Sequence, residues 1–119
     1  MKALSRKVEI KMINRSVFIG RLTSVPKKHK TKQGVNYCKF QLAVESEKGK
    51  ADYPECIIFG QLADAFVKYL SKGDMVGVSA RYSSNIYKKR KYQIFKVEEF
   101  HLLGSRKNYE EIEDVKIPQ

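Results

Sequence analysis

The alternation of apolar and polar side chains predicts a series of short strands. In VEIKMINRSVFIGRL, residues 8–22, Val8, Ile10 and Met12 alternate with charged residues, and Val17, Phe18 and Ile19 then follow one another. This predicts one long strand, half-exposed at its start and covered on both faces at its centre. Gly20 inside it predicts a bend or bulge, as at a barrel corner. Pro26 ends the strand, and a basic loop, Lys27 to Lys32, is closed by Gln33-Gly34. A second strand, Tyr37 to Val44, puts Cys38, Phe40, Leu42 and Val44 on one face and Tyr37, Lys39, Gln41 and Ala43 on the other. The polar stretch ESEKGKAD turns the chain. In a third strand, Tyr53 to Phe59, Cys56 and Ile58 oppose Tyr53, Glu55, Ile57 and Phe59. GQLADAFVKYLSKG then changes period: Leu62, Phe66, Tyr69 and Leu70 recur at helical spacing, with Lys72-Gly73 as a stop. Phe66, Tyr69 and Leu70 are expected in the core. Met75 to Tyr82 and Tyr92 to Leu103 read as the fourth and fifth strands, joined by the charged loop NIYKKRKYQ.

Strands with a single helix between the third and the fourth predict an all-β fold with one helix, the five-stranded OB-fold barrel. That architecture carries a ligand across strands two and three, between the loops that join strands one and two and strands four and five. Here those loops are KKHKTK and YKKRKY. Two basic loops at both mouths of one binding face say more than either alone.

Charge strengthens that reading. The 119 residues hold 24 Lys and Arg against 13 Asp and Glu, a formal net +11. Through residue 104 the count is 21 basic to 9 acidic, and from residue 105 onward 3 to 4. A basic body with a slightly acidic end suits a polyanion partner. The seven Tyr and six Phe, with no Trp, support a packed fold. Cys38 and Cys56 form no C-x-x-C pair, His29 and His101 stand apart, and no metal or cofactor is expected. The cysteines read as buried small hydrophobes. No apolar run is long enough to span a membrane, and the charged start MKALSRKVEIKM holds no signal sequence, so a cytoplasmic location is expected.

Several segments, "MINRSVFIGRLTSVP", "FQLAV", "CIIFGQLADAFVKYLSKGDMVGV" and the Gly34 turn, stand in an order and spacing that resembles the bacterial and phage single-stranded DNA-binding proteins over about residues 12–104. The resemblance implies an OB-fold that forms homodimers or homotetramers and coats single-stranded DNA without sequence preference during replication and recombination. The small size is similar to phage-encoded forms, which would place the protein in the cytoplasm of a bacterial host. By the resemblance, Tyr53 stands where the family has a stacking aromatic, Phe59 is the Phe before the Gly that follows strand three, and Tyr87 replaces a Trp of the four-five loop. His29 stands at a basic position of the one-two loop, and Lys72 at the Lys before the helix-end Gly. Lys48 takes the place of a further stacking Trp, which exchanges a base platform for a phosphate contact. Tyr37 and Tyr92 join the stacking candidates; Tyr92 reads equally as the first residue of strand five. Lys28, Lys30 and Lys32 in one loop and Lys88, Lys89, Arg90 and Lys91 in the other are the phosphate candidates.

The ends depart from the family pattern. Residues 1–11 precede the usual start and are expected to lengthen strand one. Residues 105–119 form a short acidic segment with no Gly/Pro-rich linker. Glu113, Asp114, Ile117 and Pro118 keep part of the family's partner-recruiting tip, through which recombinase or replication proteins would be met, but Gln119 stands where the tip has Phe. A short helix over YEEIEDV is expected, and the segment would compete with DNA for the basic groove.

Composition leaves other functions open. An RNA-binding or primosomal OB module shares fold, charge and aromatics, and nothing reports 2′-OH recognition. A basic adaptor for an acidic protein partner is a second alternative. An enzyme is not expected, because the acids before residue 105 are scattered and no nucleotide-binding, zinc-protease or serine-nucleophile motif is present.

Overall fold

The computed structural model describes residues 12–105. The elements are β1 (Ser16–Leu22), β2 (His29–Lys30), β3 (Asn36–Glu47), β4 (Lys50–Asp52), β5 (Glu55–Phe59), α1 (Gly60–Tyr69), β6 (Met75–Tyr87) and β7 (Arg90–Gly104). The sheet runs β1-β6-β7-β5-β3-β2, and β1 also pairs with β3, so five principal strands close in a ring. The OB-fold expectation holds: β5 and β7 are the parallel pair, and the other pairings are antiparallel.

Closure depends on Gly20. A Cβ there would lie 2.6 Å from the Ala43 carbonyl oxygen, too close for any side chain. At this point β1 leaves β6 for β3, with Arg21 opposite both Met75 and Ala43. Just before the strand, the Asn14 amide donates to the Tyr82 carbonyl (2.7 Å) and its Oδ1 accepts the Tyr82 N–H (2.9 Å). One side chain thereby continues the ladder past Ser16.

The inward parity forms the core. Cys38, Phe40 and Leu42 from β3, Cys56 and Ile58 from β5, Val76, Val78 and Ala80 from β6 and Val97 from β7 are buried around Phe66 of α1. The Phe66 ring stacks on Phe40 at 4.2 Å and meets Phe100 edge-on at 5.2 Å. Burial pushes the Cys56 thiol up to about 12, with Glu55 adding to the shift, and burial also raises Cys38. Both remain protonated thiols, unsuited to nucleophilic chemistry.

Several boundaries differ from expectation. Strand one begins at Ser16; Met12 precedes it and is exposed, while Val8 and Ile10 lie outside the described residues. The ESEKGKAD turn is itself a small β3–β4 hairpin. The helix stops at Tyr69, where the Leu70 N–H bonds the Phe66 carbonyl. Tyr69 is exposed, a correction to its core assignment; Ala63, Phe66 and Leu70 make the buried stripe. Residues 83–91 are not a loop: β6 and β7 stay paired out to Tyr87 and Arg90.

Candidate nucleic-acid interface

The outward parity of β3 and β5 assembles the first part of the site. His29 of β2 lies opposite Tyr37, and Tyr37 lies opposite Phe59. Because directly opposed residues share a face, the three rings line up, with centroids 5.6 and 6.2 Å apart. One register step along, Lys39 opposes Ile57, and Ile57 opposes Lys96 of β7. A shallow cavity of about 380 Å³ joins Lys30, Thr31 and Lys32 to Tyr37, Lys39, Ile57 and Phe59.

The second part comes from the β6–β7 hairpin. A cavity of about 570 Å³ shares Lys39, Ile57 and Phe59 with the first and continues past Lys96 and Ile94 to Tyr92 and Tyr87. The two cavities thus adjoin at Lys39, Ile57 and Phe59, and together, as one stretch of grooved surface, they reach from the β1–β3 connection to the distal hairpin. Its turn is two residues long. Lys88 and Lys89 have φ of 51° and 63°, the left-handed pair that a tight hairpin needs and that Asn-Gly usually supplies. The Lys88 ammonium sits 5.4 Å from the Tyr87 ring centroid, a cation–π contact that holds charge and ring together at the tip.

Exposure separates these aromatics from core residues. Tyr87 is 62% exposed, Tyr92 50% and Phe59 39%. Tyr92 is the third residue of β7 and lines the groove opposite Asn85. Thr31, Gln93, Ile94, Asn85, Lys39, Lys96 and one acid, Glu55, also line it and were not among the sequence candidates. For Lys39 the available signal was its shared parity with Tyr37.

Other candidates lie elsewhere. Tyr53 is exposed, but it lines a separate cavity of about 610 Å³ with Ile19, Arg21, Ala43 and Lys50. Lys28 is tied to Asp64 of α1 at 3.4 Å. Lys48 is at the β3–β4 turn and Lys72 in the Ser71–Asp74 turn, outside the groove. That second turn is latched to β1, since the Gly73 N–H donates to the Leu22 carbonyl at 2.8 Å and Arg21 donates to the Gly73 carbonyl at 2.9 Å. Glu113, Asp114, Ile117, Pro118 and the expected helix over YEEIEDV fall outside the described residues.

A ring of strands carrying one grooved surface, floored by aromatics and ended by cations, suits an extended flat-faced polyanion. The Single-strand binding protein family matches residues 13–101. The chain belongs to that family. "Single-stranded DNA-binding protein 1" of Staphylococcus aureus strain MSSA476 is 36% identical over 88 residues, 69% of this chain and 56% of that protein. A protein of the same name from strain COL is 39% identical over 82 residues, 64% of this chain and 49% of that one. This chain thus matches about half the length of these relatives. Among solved structures, the mitochondrial single-stranded DNA-binding protein of S. cerevisiae superposes with a TM-score of 0.71 over 80% of this chain and 98% of that one. At 18% identity this likeness speaks to the fold alone. The family model covers most of the described residues, including the whole of the groove.

Proposed function

We propose that this member of the single-strand binding protein family binds single-stranded DNA without sequence preference and coats and protects it during replication and recombination. The grooved surface joining two basic segments over exposed rings carries the reading. Single strands expose base faces and one charge per nucleotide, which stacking aromatics and unpaired cations match; each stacked base contributes ~1–3 kcal/mol. Residues 12–104 form the binding domain, with 1–11 and 105–119 as flanking segments. Bases stack on Tyr87, Tyr92, Phe59 and Tyr37 in the groove, and a longer strand continues to Tyr53. The chain acts by binding, without catalysis, in the cytoplasm. No helix among the described residues is long and apolar enough to cross a membrane.

It acts as a homodimer or homotetramer. Val17 and Ile19 on the outward face of β1 and Leu103 of β7 are exposed apolar side chains. Ile19 and Leu103 meet over Gly77, whose added Cβ would lie 3.4 Å from Leu103 and 3.8 Å from Ile19, and Val17 lies two residues before Ile19 on the same strand. A second copy covering this patch follows from the cost of leaving it in water. Mass measurement in solution tests this, and a monomer at all concentrations refutes it.

The test of binding is fluorescence anisotropy with oligo-dT of increasing length, in competition with RNA of matched sequence. DNA is expected to bind more tightly, with Tyr53→Ala affecting long strands and leaving short ones unchanged. Tighter RNA binding would move the protein to the RNA-binding OB modules. Absence of any nucleic-acid binding at low salt would point to an acidic protein partner.

A further inference from the structure

One pair of positions in the sheet runs against the rule that cross-strand neighbours should not carry like charge. Arg81 of β6 lies directly opposite Lys96 of β7. Among the paired positions of the described sheet it is the one pair of like sign. The row extends further: Lys96 opposes Ile57, and Ile57 opposes Lys39. Three cations on three strands thus share one line across the outer face, spanning three strand spacings, ~14 Å. Ile57, the uncharged member, is buried and forms an apolar floor between Lys39 and Lys96.

None of the three cations has an ion-pair partner among the described residues. Lys28 shows the alternative, since it is joined to Asp64. Unpaired like charges at one register line repel one another in the free protein, and a polyanion lying over them removes that repulsion. The aromatic rings flank the row: Tyr37 and Phe59 are one register step away on one side, and Tyr92 is on the other. Glu55 bounds the row as well, opposite Gln41, and it too has no ion pair among the described residues. Glu55 lines the same cavity as Lys39, Tyr87 and Tyr92, on the Tyr92 side of the row, so its carboxylate repels phosphate there and favours a backbone lying over the cations.

We infer that Lys39, Lys96 and Arg81 form a phosphate track across the barrel, along which the backbone of a bound single strand crosses from the Lys30–Lys32 side to the hairpin, with Glu55 as its edge. This rests on the binding reading above and adds residues and a path to it. The loops then hold the two ends of the strand, while the sheet itself holds its middle.

The experiment is salt titration of oligo-dT affinity for wild type, the three single variants Lys39→Met, Lys96→Met and Arg81→Gln, and the triple variant, alongside thermal unfolding. Each neutralised phosphate contributes a slope of about −0.7. Each single is expected to flatten the slope by ~0.7 and the triple by ~2. Lys96→Met should also raise the unfolding temperature, because it removes the like-charged pair, while Lys96→Arg keeps the wild-type slope. Glu55→Gln should tighten binding at low salt; weaker or unchanged binding would overturn its place at the edge. Lys68→Met, at an exposed position of α1 that lines neither cavity, serves as the exposed-lysine comparison and should leave the slope nearly as it was. A slope unchanged in the triple variant, or in the singles should the triple not fold, overturns the track while wild-type binding stands. Failure of the wild type to bind oligo-dT would instead sink the binding reading itself.

Discussion

The two basic segments of this chain have nearly the same composition and opposite surroundings. In the first, residues 27–32, the cations sit on a fastened loop. Lys28 pairs with Asp64, the Thr31 hydroxyl accepts the Val35 N–H at 3.1 Å, the Gly34 N–H bonds the Thr31 carbonyl at 2.9 Å, and β2 pairs with β3. In the second, residues 88–91, the chain runs out along a two-stranded hairpin and reverses through two lysines in left-handed conformation. The cation there that makes a contact lies over a neighbouring ring, not beside an acid. Sequence charge is therefore a poor measure of charge available to a ligand. One segment uses part of its charge to hold itself on the barrel; the other holds its charge outward.

The largest expected effect tests the hairpin as a base platform. Tyr87→Ala or Tyr92→Ala should each lower single-strand affinity by ~5- to 150-fold, toward the lower end because Tyr offers less stacking area than Trp. The loss should be the same at every salt concentration, since no charge is removed. Anisotropy titrations at two salt concentrations check this. Two silent variants would reduce the projecting hairpin to a charged surface and erase its difference from the fastened loop. Next in size is charge reversal at the tip. Lys89→Glu with Arg90→Glu should flatten the salt dependence by ~1.4 or more, counting two phosphates. A slope equal to that of wild type would mean that the strand does not reach the turn.

How far each region could be read from sequence follows from burial. The barrel was legible because its strands have one dry face: Cys38, Phe40 and Leu42 alternate with Lys39 and Gln41, and the structure keeps that parity. Helix α1 was legible by its period, although Tyr69 satisfied the spacing and still faces water. The outer hairpin was not. From Ser83 to Tyr87 and from Arg90 to Gln93 it has no dry face, so no alternation marks it. Its turn hides as well, because Lys-Lys stands where the usual signal would be Asn-Gly. The groove was legible at its ends, where charge and aromatics cluster along the chain. Its middle was not, because Lys39, Ile57 and Lys96 come from three strands and meet only through register.

The turn itself gives a third test. A non-glycine residue in the left-handed region costs ~1–2 kcal/mol. Lys88→Asn with Lys89→Gly supplies the residues that the turn geometry favours and should raise unfolding stability by about 1 kcal/mol or more in denaturant titration. The same variant loses two outward cations, so its salt dependence should flatten by ~1.4. Stability and binding would then move in opposite directions, as expected if the strained lysines are kept for their contacts. A gain in stability with full DNA affinity would show that the tip charge is incidental.

The smallest effect asks whether pairing is what separates Lys28 from its neighbours. Lys28→Met should leave the salt slope almost unchanged, because its ammonium already faces Asp64, and should alter stability by only ~0–1 kcal/mol, as for other half-exposed pairs. Lys30→Met, two residues on and lining the groove, should flatten the slope by ~0.7. Asp64→Asn is the sharper probe. The Asp64 carboxylate accepts both the Lys28 ion pair and the Asn36 amide, at 2.8 Å, and an Asn side chain can still accept the second. The substitution therefore frees the Lys28 cation with little disturbance to the loop, and the salt slope should steepen by up to ~0.7. If Lys28→Met and Lys30→Met behave alike and Asp64→Asn does nothing, the ion pair does not withhold the Lys28 cation. The two basic segments would then differ in shape alone.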